Sequence, residues 1–213
     1  MAESRILVLG ATGGTGREVV AQALEAGHEV TALMHRPERT LGPHARLRLV
    51  AGDVLADGPA LSDAIRGQEV VISALGRGYS FRSRGLIEGS MPRILAAMER
   101  HGVTRLVVTS AYGVGETWRD VPAVPRLFVR LLLWDLYADK ARGEAVLRRS
   151  PLDWTIVYPV ALTNGPRTGR HRAGERLSLV GLPSISRADL AAFLLTQVED
   201  RRFIRKGVLV TGA

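Results

Sequence analysis

Short apolar runs alternate along the chain with segments whose apolar residues recur every three or four positions. Ile6–Leu9 is a run of four apolar residues and predicts a buried strand. Over 15–26, Val19, Val20, Ala23 and Leu24 share one face, which predicts an amphipathic helix stopped at Gly27. Strands are expected at Glu29–Met34 and Arg46–Val50, and a short helix around Leu61, Ala64 and Ile65 ends at Gly67. Glu69–Leu75 is continuous enough in apolar character to be a strand buried on both faces. A helix over 86–101 turns Ile94, Leu95 and Met98 inward and ends at Gly102. Thr104–Thr109 is the fifth strand. A helix over 136–149 is stopped by Ser150-Pro151. Asp153–Val157 is the sixth strand, 187–199 the last helix and Gly207–Thr211 the last strand.

Strand–helix alternation at this spacing implies right-handed βαβ units around a parallel sheet. With a glycine-rich first turn, the expected architecture is α/β: a doubly wound Rossmann sheet in the order 3-2-1-4-5-6, followed by one last strand. Residues 1–213 fit a single domain. Two stretches break the rhythm. Residues 113–135 carry Trp118, Pro122, Pro125 and Phe128, and 163–183 are rich in Gly, Pro and Arg. Both follow strand C-termini, where this fold places its crevice, so they are expected to form a small substrate cap.

Four glycines within the seven residues Gly10-Ala11-Thr12-Gly13-Gly14-Thr15-Gly16 need a reason, because glycine is the costliest residue to order. The loop follows the first buried strand and opens the first amphipathic helix. A helix N-terminus there presents unpaired N–H groups and a partial positive charge, which suits a diphosphate. Gly13, Gly14 and Gly16 let the backbone approach phosphate oxygens, and the hydroxyls of Thr12 and Thr15 add donors. The end of the second strand then separates the two nicotinamide dinucleotides. NAD sites carry an acid there to bind the ribose hydroxyls. This chain has His35 and Arg36, with Arg39 close behind. Guanidinium forks match a 2′-phosphate bidentately, so the pattern favours NADP(H) over NAD(H).

Composition narrows the classes further. Without cysteine, disulfides and thiolate chemistry are excluded. The histidines His28, His35, His44, His101 and His171 show no metal-ligand spacing, so no metal is expected. The net charge is +8, nearly all from arginine because only Lys140 and Lys206 are lysines. The arginines are scattered, with no nucleic-acid motif and no basic amphipathic helix, so they read either as a solvated surface or as meeting an anionic cofactor and substrate, and nucleic acid is not expected. Ile6–Leu9 is too short for a signal peptide and Leu131–Trp134 for a membrane span. A cytoplasmic monomer or homodimer acting on a small molecule is the expectation.

From Ile6 to about Asp200 the chain resembles the atypical short-chain dehydrogenase/reductases of the NAD(P)-binding, NmrA-like group, and within it the small flavin-reductase and biliverdin-reductase-like members. The residues carrying the resemblance are GATGGTG at 10–16, GDV at 52–54, VISALG at 71–76, AAMERHGV at 96–103, TSA at 109–111 and AVLRRSPLDWTIVYP at 145–159. The resemblance implies that Gly10, Thr12, Gly13 and Thr15 hold the diphosphate, while Asp53 and Val54 flank the adenine. Leu75 and Gly76 would line the ribose. Thr109 and Ser110 would lie beneath the nicotinamide, Lys140 would reach its ribose, and Tyr158, Pro159 and Val160 would pack near the carboxamide. The group usually has Arg where this chain has His35.

Most short-chain dehydrogenases use Ser, Tyr and Lys, the last two spaced Tyr-x-x-x-Lys, with the ammonium lowering the phenol pKa. The match here, Tyr137-Ala138-Asp139-Lys140, is one residue short, a rotation of about 100° on a helix. Ser110, Lys140, Tyr137 and Tyr112 are the catalytic candidates, and Glu144 at i+4 also offers Lys140 an ion pair. Trp118, Phe128 and Trp134 are candidates to cover a planar substrate, and Arg77 to meet an anionic group on it. The expected activity is NADPH-dependent reduction of a flavin, quinone, tetrapyrrole or related enone, with the proton drawn from solvent. Two alternatives stand beside it: a non-catalytic NADP(H) sensor of the NmrA type, and an isomerase or dehydratase using bound NAD.

Overall fold

The computed structural model describes residues 3–35, 41–78, 80, 82–121, 126–127 and 129–213. Six strands pair in parallel: β1 (Arg5–Leu9), β2 (Glu29–Met34), β3 (Leu47–Ala51), β4 (Val70–Ser73), β5 (Arg105–Thr109) and β6 (Asp153–Pro159). Their order is β3-β2-β1-β4-β5-β6, as the connectivity predicts. Three short strands follow, β7 (Ala161–Thr163), β8 (His171–Gly174) and β9 (Ser184–Ser186), and then β10 (Lys206–Gly212). β10 adds to β6 in parallel, and β8 closes that edge antiparallel to β10. Part of the 163–183 stretch is therefore built into the main sheet. β7 and β9 form a separate parallel pair.

The central strands are largely apolar because helices cover both faces, with Arg105 and Thr155 buried among them and hydrogen-bonded to each other. Ile6, Leu7 and Val8 have no exposed surface. The helices are α1 (Gly14–Glu25), α2 (Pro59–Ile65), α3 (Leu86–Arg100), α4 (Trp134–Arg148) and α5 (Arg187–Thr196). α1 packs on α5, and α3 on α4. Leu9 pairs with Leu33 on one side and with Ser73 on the other, so β1, β2 and β4 end in line. That line is the floor of the crevice in which the chain order reverses.

Two buried carboxylates on α4 fix its place. Asp139 is 2% exposed, and its Oδ2 and Oδ1 accept the backbone N–H groups of Ile87 and Glu88, each at 3.0 Å. It thus caps α3 from another helix, which meets two of the donors that every helix N-terminus leaves open. Asp135 accepts from Ser83 N at 2.6 Å, and Arg142 donates to Glu88 Oε2 at 2.6 Å, so the i, i+4 and i+7 positions of α4 are tied to the start of α3. Gly143 permits the approach: a β-carbon there would lie 2.7 Å from Ile87 Cγ2 and 3.0 Å from Ile87 O.

The second carboxylate, Glu144, is 3% exposed and joins α4 to the ends of β5 and β6. Ser110 Oγ donates to its Oε1 at 2.5 Å and Tyr158 OH to its Oε2 at 2.7 Å. Arg148 donates to Tyr158 OH at 3.0 Å and pairs with Glu116 at 2.9 Å. Burial pushes the Glu144 carboxyl above its usual range, against the pull of the Ser110 and Tyr158 hydrogen bonds and of the Arg148 and Lys140 charges.

Replacing Asp139 by Ala removes both capping bonds and is expected to destabilise the fold by about 1–2 kcal/mol, read from urea denaturation midpoints. For Glu144, a pKa raised in the native state means that the folded protein binds the proton more tightly than the unfolded chain. Its contribution to stability is therefore present at acid pH and is lost as pH rises above the ordinary glutamate value. Glu144→Gln keeps the fold, because the Ser110 and Tyr158 hydroxyls can turn to accept from the amide. The variant is expected to flatten the decline in stability as pH rises above the ordinary glutamate value. An unchanged slope in that range assigns the titration to another group.

Candidate functional site

The crevice begins where β1 meets α1. Gly10 takes φ +78°, and a β-carbon on it would sit 2.6 Å from Ala74 O. One on Gly16 would sit 2.1 Å from Gly10 O. Both contacts are with backbone, so only glycine lets the helix start this close to the strand. Gly13 N donates to Gly10 O at 3.0 Å and closes the turn. Gly13 is the N-cap, and no side chain caps the helix. Gly13 and Gly14 are exposed, Thr12 is half-buried and Thr15 is buried. Arg17 Nε donates across the loop to Thr12 O at 3.2 Å. Uncapped N–H groups at an exposed, positively polarised helix end fit an anionic diphosphate.

On the β2 side, His35 Nδ1 lies 3.2 Å from Asp53 Oδ2, and Asp53 Oδ1 accepts from Leu55 N at 2.9 Å. The expected adenine-side residue and the expected 2′-phosphate residue are thus brought together. Arg36 and Arg39 fall outside the described residues. Val54 is buried; Leu75 is half-buried and Gly76 exposed just beyond β4. Arg77 Nε is engaged with Ser83 O at 2.7 Å.

At the end of β5, Thr109 presents a buried hydroxyl without a hydrogen-bond partner. Lys140 Nζ donates to Thr109 O at 3.4 Å. Burial lowers the Lys140 pKa, opposed by the charges of Glu144 and Asp139. The Ser110 hydroxyl is directed to Glu144, as is that of Tyr158, which is 1% exposed. Pro159 and Val160 are buried beside it. Tyr137 OH donates to Tyr112 O at 3.3 Å, and Tyr112 OH to Asp120 O at 2.5 Å. Burial raises the pKa of both phenols, aided at Tyr112 by Asp120 and opposed by Arg126. Position i−4 from Lys140 holds Leu136.

Trp118 and Trp134 meet edge to face at 6.2 Å, with the Arg126 guanidinium 5.8 Å from the Trp118 ring. Trp134 is 56% exposed, and Phe128 falls outside the described residues. Two residues acquire a place that the sequence reading did not give them. Glu144 is the acceptor on which Ser110 and Tyr158 converge, and Arg187 lies against Gly14. Residues 186–189, Ser-Arg-Ala-Asp, carry only a helix-capping signal, and Ser186 does cap α5 by accepting from Asp189 N. A groove of about 810 Å³ near Arg5, Arg46, Arg48 and Arg66 lies at the opposite ends of the strands. Arg5, Arg46 and Arg66 are paired there with Glu69, Glu3 and Asp63. Among the described residues no helix is long and apolar enough to cross a membrane.

Comparison with known proteins places this geometry. A family model described as NAD(P)H-binding matches residues 10–201. A putative NAD-dependent epimerase/dehydratase from Bacillus halodurans superposes with a TM-score of 0.80 at 26% identity, covering 99% of this chain and 94% of that one. The anaerobilin reductase ChuY from Escherichia coli O157:H7 shares the fold, with a TM-score of 0.80 at 20% identity over 97% of this chain and 96% of its own. An uncharacterized chloroplastic protein of Arabidopsis thaliana is 28% identical over 173 residues, 78% of this chain and 61% of that protein. The chain spans less than two thirds of the length of the curated relatives that it matches first. The glycine crossover, the strand order and the extent of the family match together make the chain a member of the NAD(P)H-binding family, built on the Rossmann fold of the atypical short-chain dehydrogenase/reductases.

Proposed function

We propose that the chain is an NADPH-dependent reductase that passes a hydride to a planar small molecule of the flavin, quinone, tetrapyrrole or enone type. The observation that carries this reading is the uncapped, exposed start of α1 at the strand-order switch. In this reading the backbone of Gly13, Gly14 and Thr15 holds the diphosphate, with Thr12 alongside. His35, with Arg36 and Arg39, meets the 2′-phosphate. Asp53 and Val54 hold the adenine, and Leu75 and Gly76 the ribose. Thr109, whose hydroxyl lacks a partner, and Lys140 face the nicotinamide half, with Tyr158, Pro159 and Val160 packed behind it. The dinucleotide supplies the hydride when bound; the protein's task is to orient the two rings and exclude water. Trp118, Trp134 and Phe128 would cover the acceptor, and Arg77 would meet its anionic group.

The proton follows from the phenols. A general acid works best with a pKa near the working pH. Burial drives the Tyr112 and Tyr137 hydroxyls the other way, and each donates to a backbone carbonyl. Solvent is the proton source that suits an acceptor reduced at an accessible nitrogen or carbon. Leu136 at the position of the usual tyrosine also favours a second reading, a coenzyme-sensing protein that binds NADP(H) and transfers no hydride.

Calorimetric titration is expected to show NADPH binding about tenfold or more tighter than NADH, through the charged 2′-phosphate contacts. With FMN or a soluble quinone present, the NADPH absorbance band should then decay. Binding without turnover over a broad acceptor panel supports the sensor, and absence of binding by either dinucleotide overturns both readings. Tyr137→Phe should retain turnover within about threefold, where removal of a true general acid lowers it by ~10²–10⁴-fold.

A further inference from the structure

Arg187 opens α5, yet its side chain lies over the start of α1. Its Cδ and Nε are each 2.7 Å from the point where a β-carbon on Gly14 would sit. Its Nη1 donates to Asn164 Oδ1 at 2.6 Å, a neutral amide. The loop that Asn164 begins is fastened to the same helix by Asp189, which is 3% exposed. Asp189 Oδ1 accepts from Thr168 N and Gly169 N, and its Oδ2 from Thr168 Oγ1, all at 2.8 Å. Ser186 Oγ and Asp189 Oδ2 are 3.0 Å apart. A single guanidinium therefore connects the glycine turn to the loop over 164–169.

That position is electrostatically odd for a cation. The N-terminal end of a helix is its positive pole, where anions are stabilised and cations are not. Arg187 sits at two such poles, that of α1 and that of its own helix. The first turn of α1 contains no acidic residue to offset it. An anion between the guanidinium and the Gly13–Thr15 amides removes the conflict and satisfies both.

We infer that Arg187 is the cationic ligand of the dinucleotide's diphosphate and the link through which a bound dinucleotide holds the 164–169 loop in place. The inference rests on the proposed dinucleotide site and adds to it a residue at the end away from the 2′-phosphate. Arg187 then serves NADP(H) and NAD(H) equally, whereas His35, Arg36 and Arg39 separate them.

The test is titration of wild type, Arg187→Ala and Arg187→Gln with NADP+, NAD+ and adenosine 2′-monophosphate, the last lacking a diphosphate. Loss of a charge-assisted hydrogen bond is expected to weaken NADP+ and NAD+ by the same factor, about 10- to 100-fold. Adenosine 2′-monophosphate should bind both variants as it binds wild type. Equal melting temperatures without ligand show that the fold is kept, and Arg187→Gln serves if the alanine variant is unstable. Trypsin gives a readout independent of affinity: saturating NADP+ should slow cleavage at the exposed Arg167 and Arg170 in wild type but not in the variants. Unchanged affinity in both variants overturns the inference and leaves the site standing, and a loss confined to NADP+ overturns it by moving Arg187 to the 2′-phosphate. Failure of wild type to bind any dinucleotide overturns the reading of the site and this inference with it.

Discussion

The structure depends on one close approach, that of the first turn of α1 to the end of β1. Gly16 comes against Gly10 O, and Gly10 against the end of β4, at distances that leave no room for any side chain. This contact sets the height at which the helix leaves the sheet. It therefore sets where the uncapped N–H groups emerge and which strand ends they face. Elsewhere most of the parallel core is made of apolar residues that repacking tolerates. Here backbone meets backbone, and neither can yield. A helix start formed this way is rigid because it has no rotamers to lose.

The other half of the crevice is held by charge buried in the protein. α4 is pinned by Asp139 to the start of α3 and by Glu144 to the ends of β5 and β6. Uncompensated, a buried carboxylate is destabilising. Each of these is met by at least two donors, and each donor belongs to another element. The arrangement gives up some stability for orientation: Lys140 and Tyr137 are carried by a helix that is fixed at two points along its length. It also occupies the hydroxyls of Ser110 and Tyr158 with structural bonds. Beside them, the Thr109 hydroxyl has no such bond, and Lys140 donates to the Thr109 carbonyl.

The strands and the glycine turn were legible in the sequence because their signals are local. An apolar run, a glycine cluster and a helical face each fit within about twelve residues, and the strand order follows from connection length and handedness. β7, β8 and β9 were not legible. They are only three or four residues long, and they owe their form to partners far along the chain, with β8 paired to β10. The candidate site divides in the same way. Its phosphate end is written in one short motif. Its tertiary contacts are not, because nothing near Asp139 announces that it will cap a helix 52 residues earlier, and nothing near Arg187 announces Gly14. The direction of the Ser110 hydroxyl was likewise hidden, since a serine at a strand end can face either way until Glu144 draws it inward.

The carboxylate of Asp189 has a wider bearing. By collecting Thr168, Gly169 and Ser186 it ends the 164–169 loop on a fixed post, and the antiparallel seam between β8 and β10 provides a second. Chain between such moorings can change wherever its side chains stand clear of the frame behind it. Within residues 175–183, Leu177 and Leu179 pack against the core and Glu175 meets Lys206, whereas Val180 and Leu182 are almost wholly exposed. A lineage carrying this scaffold could rewrite the positions around Val180 and Leu182 while the frame beneath them stayed as it was.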